Sequence, residues 1–511
     1  MIGPRHRTSD CKDGTVSRRD MLRFMGGAGA GLLAAEVLPP GAQAVLTAQS
    51  SARTTSFHWV DSGGLKSYFL KPYFGSYHHK HPNVTVDYQV LPWAQIDQVI
   101  PLAVRNGNAP DVFEIPNNMT GAQAVGEGWV QPLDRYIPNF AAWKKAFPPD
   151  ALLPGITEFN GQTYGFWLWS PKRYGTLTLY NVPYLHRAGY DPTRKPLTWD
   201  EFRAALQKVT QQGRGRYYGL LLGGSEAATW AAFVSNLGRM AGSPAGENIN
   251  WKTGEYNFMS DGYIAAIELL LALKSDNSVY PGSLSMDSYT ARARMPQGIA
   301  GIILEGPWNI PQWQKENPGF NFGVGSQPVP KHGTPVPLTV SPASGVMFWL
   351  YAKSPNGAIA GQMFSYIGSV EGQKQLLTLS GAASPVLFPE VNAMASKVAG
   401  PRAQEALNLF SKQVRLGPEP AARNADVSKV LLEMKPIQPD FGTVVQGLYV
   451  GQLSNPKKAM KDTQDRYEAE LERAIKVARS KGAKVSRDDW KFPNWNPFKD
   501  YSAAEYKALK G

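Results

Sequence analysis

Tryptophan and short polar side chains stand together where predicted strands of this chain end. Trp308 and Glu305 follow one apolar run, and Asp61 and Ser62 follow another. An indole offers a flat apolar face, while carboxylates and hydroxyls make hydrogen bonds. A sugar ring needs both, because its C–H faces are apolar and an unmatched hydroxyl costs about 1–3 kcal/mol when buried. In a chain with 14 tryptophans, these strand ends predict stacking on, and hydrogen bonding to, a hydroxyl-rich ring.

Three more candidates follow from position relative to the predicted strands. Ser225 and Trp230 come after the strand predicted over 220–222, although Trp230 fits a core position equally well. Gly345 has no side chain and would allow the backbone to approach a ligand closely.

Strands and helices alternate along the chain. This order predicts an α/β fold with open sheets, which bind ligands beyond their strand ends. Thr198 and Glu201 form a capping box that opens a helix, and Asn455-Pro456 begins a long last helix. The predicted strands are 57–60, 84–90, 111–115, 176–180, 220–222, 299–304 and 345–351.

The N-terminus has the pattern of a twin-arginine export signal. Arg18 and Arg19 precede an apolar run interrupted by glycines, and Ala42-Gln43-Ala44 has the A-x-A form of a cleavage site. The run is well short of the ~20 residues that span a bilayer. We expect residues 1–44 to be a signal peptide and the mature chain to be periplasmic or extracellular.

The single cysteine, Cys11, lies in that predicted signal. The mature chain is therefore expected to have no disulfide. It should also carry no lipid anchor, because an anchored binding protein needs a cysteine just after its apolar run.

Charge and histidine patterns favour neither nucleic acid nor metal. The chain has 53 Lys and Arg against 41 Asp and Glu, but no block of five like charges, which indicates a solvated surface. His78, His79 and His81 end a predicted helix, and no carboxylate or cysteine stands nearby to complete a metal site. We expect no metal and no cofactor.

Residues 481–511 have an aromatic composition without helical or strand periodicity. Such a segment predicts a strap laid over the folded body with its rings anchored in grooves. The rings are Trp490, Phe492, Trp495, Phe498 and Tyr501.

Five motifs occur in a fixed order over residues 55–480. Their order resembles that of the bacterial extracellular solute-binding proteins of the maltose-binding type, family 1, which serve ABC importers. The motifs are Ala109-Pro110-Asp111-Val112; Gly128-Trp129-Val130-Gln131-Pro132-Leu133-Asp134; Asn160–Gly165 followed by Leu179-Tyr180-Asn181, Ala188-Gly189-Tyr190 and Pro196–Phe202; Glu305-Gly306-Pro307-Trp308; and Ser369-Val370-Glu371-Gly372-Gln373.

The resemblance implies a two-lobe periplasmic-binding-protein-like fold of type II, with a hinge and an interlobe cleft. It places 45–172 and 335–392 in an N-lobe and 173–334 and 393–480 in a C-lobe. Residues 481–511 become an aromatic C-terminal extension, which is not general in the family. The crossings between lobes would fall near 169–174, 329–342 and 389–395.

The resemblance also implies roles for individual residues. It matches Trp308 to the family's stacking position, and Asn117 and Asn118 to a turn that binds hydroxyls. Charged residues occupy that turn in the family, so the kind of sugar stays open. Three further positions match the cleft: Tyr174, Asp440 and Phe441.

The function implied is that of a monomeric substrate-binding component of an ABC importer. It would capture a sugar or oligosaccharide and deliver it to membrane permease subunits, with no nucleic-acid partner. A glycerol-phosphate diester would suit the basic charge and stays open as an alternative ligand.

A secreted carbohydrate-active enzyme is the less favoured alternative. A glycosidase needs two carboxylates across its cleft, for which Glu114, Glu158 and Glu305 are candidates. The sequence has no serine-hydrolase, zinc-protease or phosphate-loop motif, so no catalytic residue is expected.

Overall fold

Two four-stranded sheets organise the chain. The structure, a computed structural model, describes residues 54–509 apart from 117, 118, 150, 247 and 334. The predicted signal peptide, Asn117 and Asn118 lie outside the described residues. The strands are β1 (Thr55–Asp61), β2 (Val84–Val90), β3 (Val112–Phe113), β4 (Glu158–Phe159), β5 (Gln162–Thr163), β6 (Trp167–Trp169), β7 (Leu177–Asn181), β8 (Tyr218–Leu221), β9 (Ala245–Gly246), β10 (Ile249–Asn250), β11 (Ala300–Glu305), β12 (Phe322–Gly325), β13 (Leu338–Val340), β14 (Val346–Met347), β15 (Trp349–Leu350) and β16 (Val414–Leu416).

The first sheet has the strand order β15-β3-β1-β2, and the second has the order β12-β7-β11-β8. In the first sheet β2 and β3 both run parallel to β1, so the carboxyl ends of the three strands meet at one edge. In the second sheet β8 runs parallel to β11, and β7 is antiparallel to it. Each of the seven predicted strands overlaps a strand of the structure, which confirms those predictions.

Helices cover both sheets, as the alternating order predicted. The α-helices are Ser67–Lys80, Trp93–Asn106, Gly121–Gly126, Phe140–Lys145, Val182–Ala188, Trp199–Gly213, Ala227–Met240, Asp261–Ser275, Ser288–Arg294, Asn309–Glu316, Gly357–Ile367, Val370–Leu379, Pro389–Asn392, Ala395–Ala399, Pro401–Gln413, Pro420–Arg423, Val427–Glu433, Phe441–Val450, Pro456–Ser480 and Ala503–Ala508, and short 3-10 helices cover Gly64–Lys66, Pro281–Ser285, Met295–Gln297, Pro342–Ser344 and Arg487–Trp490. None of the helices in the described part of the chain is both long enough and apolar enough to cross a membrane.

Two connections join the region of the first sheet to the second. Residues 170–176 lead from β6 to β7, and residues 326–345 lead from β12 back to β14. The second connection contains β13, which pairs in parallel with β16. These segments overlap two of the three predicted crossings, and the exact division into lobes stays a prediction.

Four of the five aromatic rings in the C-terminal segment are buried. Trp490, Phe492, Trp495 and Tyr501 pack against the helices Val427–Glu433 and Pro456–Ser480, whereas Phe498 remains 52% exposed. The strap prediction is therefore confirmed for all of the rings except Phe498.

Helix starts follow the predicted caps. The Thr198 side chain accepts a hydrogen bond from the Glu201 N–H (3.1 Å), and the Glu201 carboxylate accepts one from the Thr198 N–H (2.9 Å). The Asn455 side chain accepts from the Lys458 N–H (3.0 Å) at the start of the last long helix. Both arrangements satisfy N–H groups that a helix leaves without an internal partner.

Replacing Thr198 with alanine removes one acceptor from the capping box. We expect Thr198→Ala to lower the free energy of unfolding by about 1 kcal/mol, the usual value of such a cap. Urea unfolding followed by circular dichroism measures this. Thr198→Ser keeps the hydroxyl and should retain most of the stability; equal losses in the two variants would contradict a capping role.

Candidate ligand-binding cleft

A cavity of about 650 Å³ lies at the edge of the first sheet where the parallel strands end. Glu114 follows β3 and Trp93 follows β2, and both line the cavity. Ligands bind beyond the carboxyl ends of strands in open α/β sheets. Both chain connections between the sheets also reach the cavity, through Arg173 from the first and Ser344 from the second.

A buried ion pair holds Glu114 at this edge. The Lys66 ammonium lies 2.9 Å from the Glu114 carboxylate, and the two side chains are only 5% and 3% exposed. Ser62 contacts both partners: its N–H donates to Glu114 Oε2 (2.7 Å), and its hydroxyl accepts from Lys66 Nζ (2.6 Å). Ser62 thus supports the carboxylate that faces the cavity.

Asp61 lies in the same polar cluster, beneath the cavity. Its carboxylate accepts hydrogen bonds from the N–H of Gly63 (2.5 Å), the Tyr88 hydroxyl (3.1 Å) and the Trp59 indole (3.2 Å). Burial raises the pKa of Asp61 to about 6, while the nearby Lys66 ammonium opposes the rise. Asp61 is not among the residues that line the cavity.

Arg173 brings a positive charge to the cavity. Its guanidinium donates to the Ser384 hydroxyl (2.8 Å) and lies 5.8 Å from the Trp169 ring. Among the described residues no carboxylate oxygen lies within 4.0 Å of it. Burial lowers the pKa of Arg173 to about 10, and the Glu114 carboxylate acts in the opposite direction. The guanidinium stays charged at neutral pH.

Four tryptophans supply most of the aromatic surface of the cavity. Trp93 lies with its ring 5.9 Å from Lys66 Nζ. Trp349 belongs to β15, Trp251 follows β10, and Trp490 ends a 3-10 helix of the C-terminal segment. The cavity therefore has a charged end and several apolar faces, which suits a ligand with both kinds of surface.

Gly345 lines the cavity, and its environment explains the glycine. A Cβ atom at this position would lie 2.3 Å from the Trp167 indole. The Trp167 ring occupies the place that a side chain at position 345 would take. Only glycine therefore allows the backbone at this position to lie between the ring and the cavity.

Glu305 and Trp308 meet at the edge of the second sheet, where β11 ends. Glu305 Oε2 accepts hydrogen bonds from Arg292 Nε (2.9 Å), Trp308 Nε1 (3.1 Å) and Asn309 Nδ2 (2.9 Å). The Arg292 guanidinium also lies 5.7 Å from the Trp308 ring. These contacts fix the orientation of the half-buried indole.

The Trp308 ring lies near a connection that reaches the cavity but does not line the cavity itself. A Cβ atom built on Gly175 would lie 3.4 Å from the Trp308 ring, and Gly175 is two residues from Arg173 in the same connection. The structure therefore places Trp308 beside the connection that carries Arg173, outside the walls of the 650 Å³ cavity.

The remaining candidates lie away from the cavity. Tyr174 is buried, and its hydroxyl donates to Gln413 Oε1 (2.6 Å). Trp230 is buried and donates to the Gly224 carbonyl (2.9 Å). Asp440 caps a helix by accepting from the Thr443 N–H (2.7 Å), Phe441 packs in the core, and Ser225 is exposed beyond β8.

Sequence reasoning missed several residues that line the cavity. Trp93 follows a strand of the first sheet, so the rule that selected Asp61 could have found it, and Glu114 was named only as a candidate catalytic carboxylate. Trp251, Glu419 and Trp490 carry no local signal, because packing between distant segments brings them to the cavity. Within the described ranges, no group of three or more His, Cys, Asp or Glu residues is placed to hold a metal ion.

Comparison with known proteins decides the family. A family model for bacterial extracellular solute-binding proteins matches residues 62–374, more than half of the chain. The chain belongs to this family. The resemblance noted in the sequence is thereby confirmed.

Solved structures share the fold of this solute-binding protein. An ABC transporter solute-binding protein from Thermotoga lettingae, bound with α-D-tagatose, matches with a TM-score of 0.62 and 19% identity over 81% of this chain and 99% of that chain. The GacH receptor of Streptomyces glaucescens matches with a TM-score of 0.62 and 17% identity, over 82% and 98%. Maltose-bound MalE3 of T. maritima matches with a TM-score of 0.61 and 16% identity over 81% of this chain and 99% of that chain. The two-lobe, type II fold is thus confirmed.

Matches to curated relatives cover a smaller part of each chain. A binding protein of Brucella abortus is 25% identical over 261 residues, which is 50% of this chain and 60% of the relative. The sn-glycerol-3-phosphate-binding periplasmic protein UgpB of the same organism is 22% identical over 288 residues, 55% of this chain and 62% of UgpB. The matches thus span about three fifths of these relatives.

The raised pKa of Asp61 predicts a dependence of stability on pH. The folded protein keeps a proton on Asp61 up to about pH 6, whereas the unfolded chain releases it near the ordinary value of 3.8. The contribution of Asp61 to the free energy of unfolding should therefore fall as the pH rises from 4 to 6.5. The Asp61→Asn variant lacks this titration. The free energy of unfolding of the native protein minus that of the variant should therefore fall by on the order of 2 kcal/mol between pH 4 and 6.5.

Urea unfolding of both proteins at half-unit pH steps measures the difference. Titrations of groups that do not interact with Asp61 are common to the two proteins and cancel. A constant difference from pH 4 to 6.5 would show that Asp61 titrates as it does in the unfolded chain.

Proposed function

We propose that this protein is the substrate-binding component of an ABC importer, capturing a sugar or oligosaccharide in the cleft between its lobes. The observation that carries the proposal is the cavity at the strand ends, where tryptophan faces adjoin a charged and hydroxyl-bearing end. Aromatic faces suit the C–H faces of a sugar ring, and Glu114, Arg173 and Ser344 offer partners for its hydroxyls.

Membership of the solute-binding family and the fold support the proposal. Some of the proteins with this fold were solved with tagatose or maltose bound. In such a fold, ligand binding favours the closed arrangement of two lobes by its differential affinity. The closed form would then dock transiently on the membrane permease, and the protein would work in the periplasm or outside the cell as a monomer.

A binding role is favoured over catalysis by the state of the candidate carboxylates. Glu114 pairs with Lys66, Glu158 pairs with Lys144, and Glu305 pairs with Arg292. A glycosidase needs two carboxyl groups across its cleft, but of these three only Glu114 lines the cavity, and a cation already binds it.

Binding of neutral saccharides tests the proposal directly. Calorimetric titration with tagatose, maltose and raffinose should show at least one ligand, and small-angle X-ray scattering should show compaction of the protein with it. Absence of binding to neutral mono-, di- and trisaccharides at millimolar concentration would contradict a sugar ligand.

Two tryptophans should contribute to that affinity. We expect Trp93→Ala and Trp308→Ala each to weaken binding at least tenfold, about 1.4 kcal/mol, because Trp93 lines the cavity and Trp308, beside the connection that carries Arg173, is expected to reach the ligand when the lobes close. Trp199→Ala is the matched control: Trp199 is also half-buried with one hydrogen bond, to the Pro328 carbonyl, but it begins the helix Trp199–Gly213 and stands at no strand end. Unchanged affinity in either variant would remove that tryptophan from the site.

A glycerol-phosphate diester is the second candidate ligand. Arg173 favours it, because this cation faces the cavity without an ion-pair partner among the described residues, and a phosphate would supply one. The partial match to the glycerol-3-phosphate-binding UgpB points the same way.

Replacing Arg173 separates the two candidates. If the ligand carries a phosphate, Arg173→Gln should weaken binding of sn-glycerol-3-phosphate at least tenfold, and the native affinity should fall with added salt. Arg135→Gln removes the same charge from an exposed position and serves as control. Affinity that depends on neither Arg173 nor salt would exclude a phosphate contact there.

A further inference from the structure

The C-terminal segment reaches the same cavity as the strand ends of the first sheet. Trp490 lines the cavity together with Trp251, Tyr256 and Leu471. The family match ends at residue 374, so residues 481–509 lie outside the part of the chain that defines the family. A wall of the candidate ligand site is therefore built by a segment that the family model does not describe.

Packing fixes the position of Trp490. The ring is only 3% exposed and belongs to a hydrophobic cluster with Trp251, Val430, Leu471 and Ile475. A tryptophan in such a cluster has little rotational freedom, so its cavity-facing surface is held in place before a ligand arrives. Preorganised surfaces bind with a smaller loss of conformational entropy.

Hydrogen bonds anchor the segment to residues 419–423, of which Glu419, Pro420 and Ala421 line the cavity. The Arg423 guanidinium donates to the carbonyls of Asp488 (2.6 Å) and Lys491, on either side of Trp490. The Glu419 N–H donates to the Tyr506 hydroxyl (2.8 Å), and Glu419 lines the cavity.

A second anchor ties the segment to the connections between the sheets. Asp500 accepts from the Leu416 N–H (2.8 Å) with one carboxylate oxygen and forms an ion pair with Lys172 through the other. Lys172 precedes Arg173, which lines the cavity, and Leu416 belongs to β16, which pairs with β13. The segment is thus attached directly to the first connection and, through β16, to the second.

We propose that residues 481–509 are part of the ligand site and that Trp490 limits the size of the ligand the cavity accepts. This proposal rests on the function proposed above and deepens it. The indole occupies volume that a longer saccharide would need and offers an apolar face against which a C–H surface can pack.

Substitution of Trp490 tests this role with two controls from the same segment. Trp490→Ala should weaken binding of the mono- to trisaccharide with the highest native affinity at least tenfold. The factor by which it weakens binding of the next longer homologue should be at least five times smaller. Trp495→Ala removes a buried ring outside the cavity lining, and Phe498→Ala removes an exposed one. Both should keep the native order of preference, although Trp495→Ala should lower the melting temperature.

Unchanged affinities and preference in Trp490→Ala would overturn the proposal. Equal effects of Trp490→Ala and Trp495→Ala would also overturn it, because they would assign the effect to loss of packing in the segment. If the native protein binds no saccharide, the proposed function fails. A probe that needs no saccharide then tests whether Trp490 forms a wall of the cavity.

That probe is 1-anilinonaphthalene-8-sulfonate, a fluorescent dye that binds apolar cavities. Trp490→Ala enlarges the cavity, so its dye fluorescence at a temperature where all variants are folded should exceed that of Trp495→Ala and Phe498→Ala at least threefold. Equal fluorescence in the three variants would show that Trp490 does not bound an accessible cavity.

Discussion

The buried ion pair between Lys66 and Glu114 is the interaction on which the cleft depends. Two charges removed from water are tolerated only when each satisfies the other, and the loss of one partner leaves an uncompensated buried charge. The pair joins the turn after β1 to the end of β3, and Ser62 hydrogen-bonds to both partners. Together with the backbone pairing of β1 and β3, this contact holds the strand ends that border the cavity.

The cavity combines surfaces that come from very different parts of the chain. The first sheet supplies Glu114 and Trp93, the connections between the sheets supply Arg173 and Ser344, and the C-terminal segment supplies Trp490. Because the connections border the cavity, a ligand held there touches the segments that must bend when lobes move. Capture of ligand and closure of the lobes are physically linked in such an arrangement.

Local patterns in the sequence determined the elements and part of the site. The alternation of Val84, Val86 and Val90 gave β2, and the Thr198–Glu201 spacing gave a helix start, since both signals lie within a few residues. Asp61 and Ser62 were named because they directly follow β1, and the ends of parallel strands meet at one edge of a sheet. The order of motifs was sufficient to identify the family and with it the two-lobe fold.

Tertiary structure alone decided which aromatic and polar side chains face the cavity. Tyr174, Trp230 and Phe441 look like cleft residues in the sequence but do not line the cavity, while Trp490, which is equally buried, lines it from a segment without periodicity. Whether a ring lies in a core or in a cleft depends on what packs against it, and some partners here, such as Gln413 for Tyr174 and Trp251 for Trp490, are more than 200 residues away. A sequence specifies those partners only through the folded chain as a whole, so local spacing cannot distinguish the two environments.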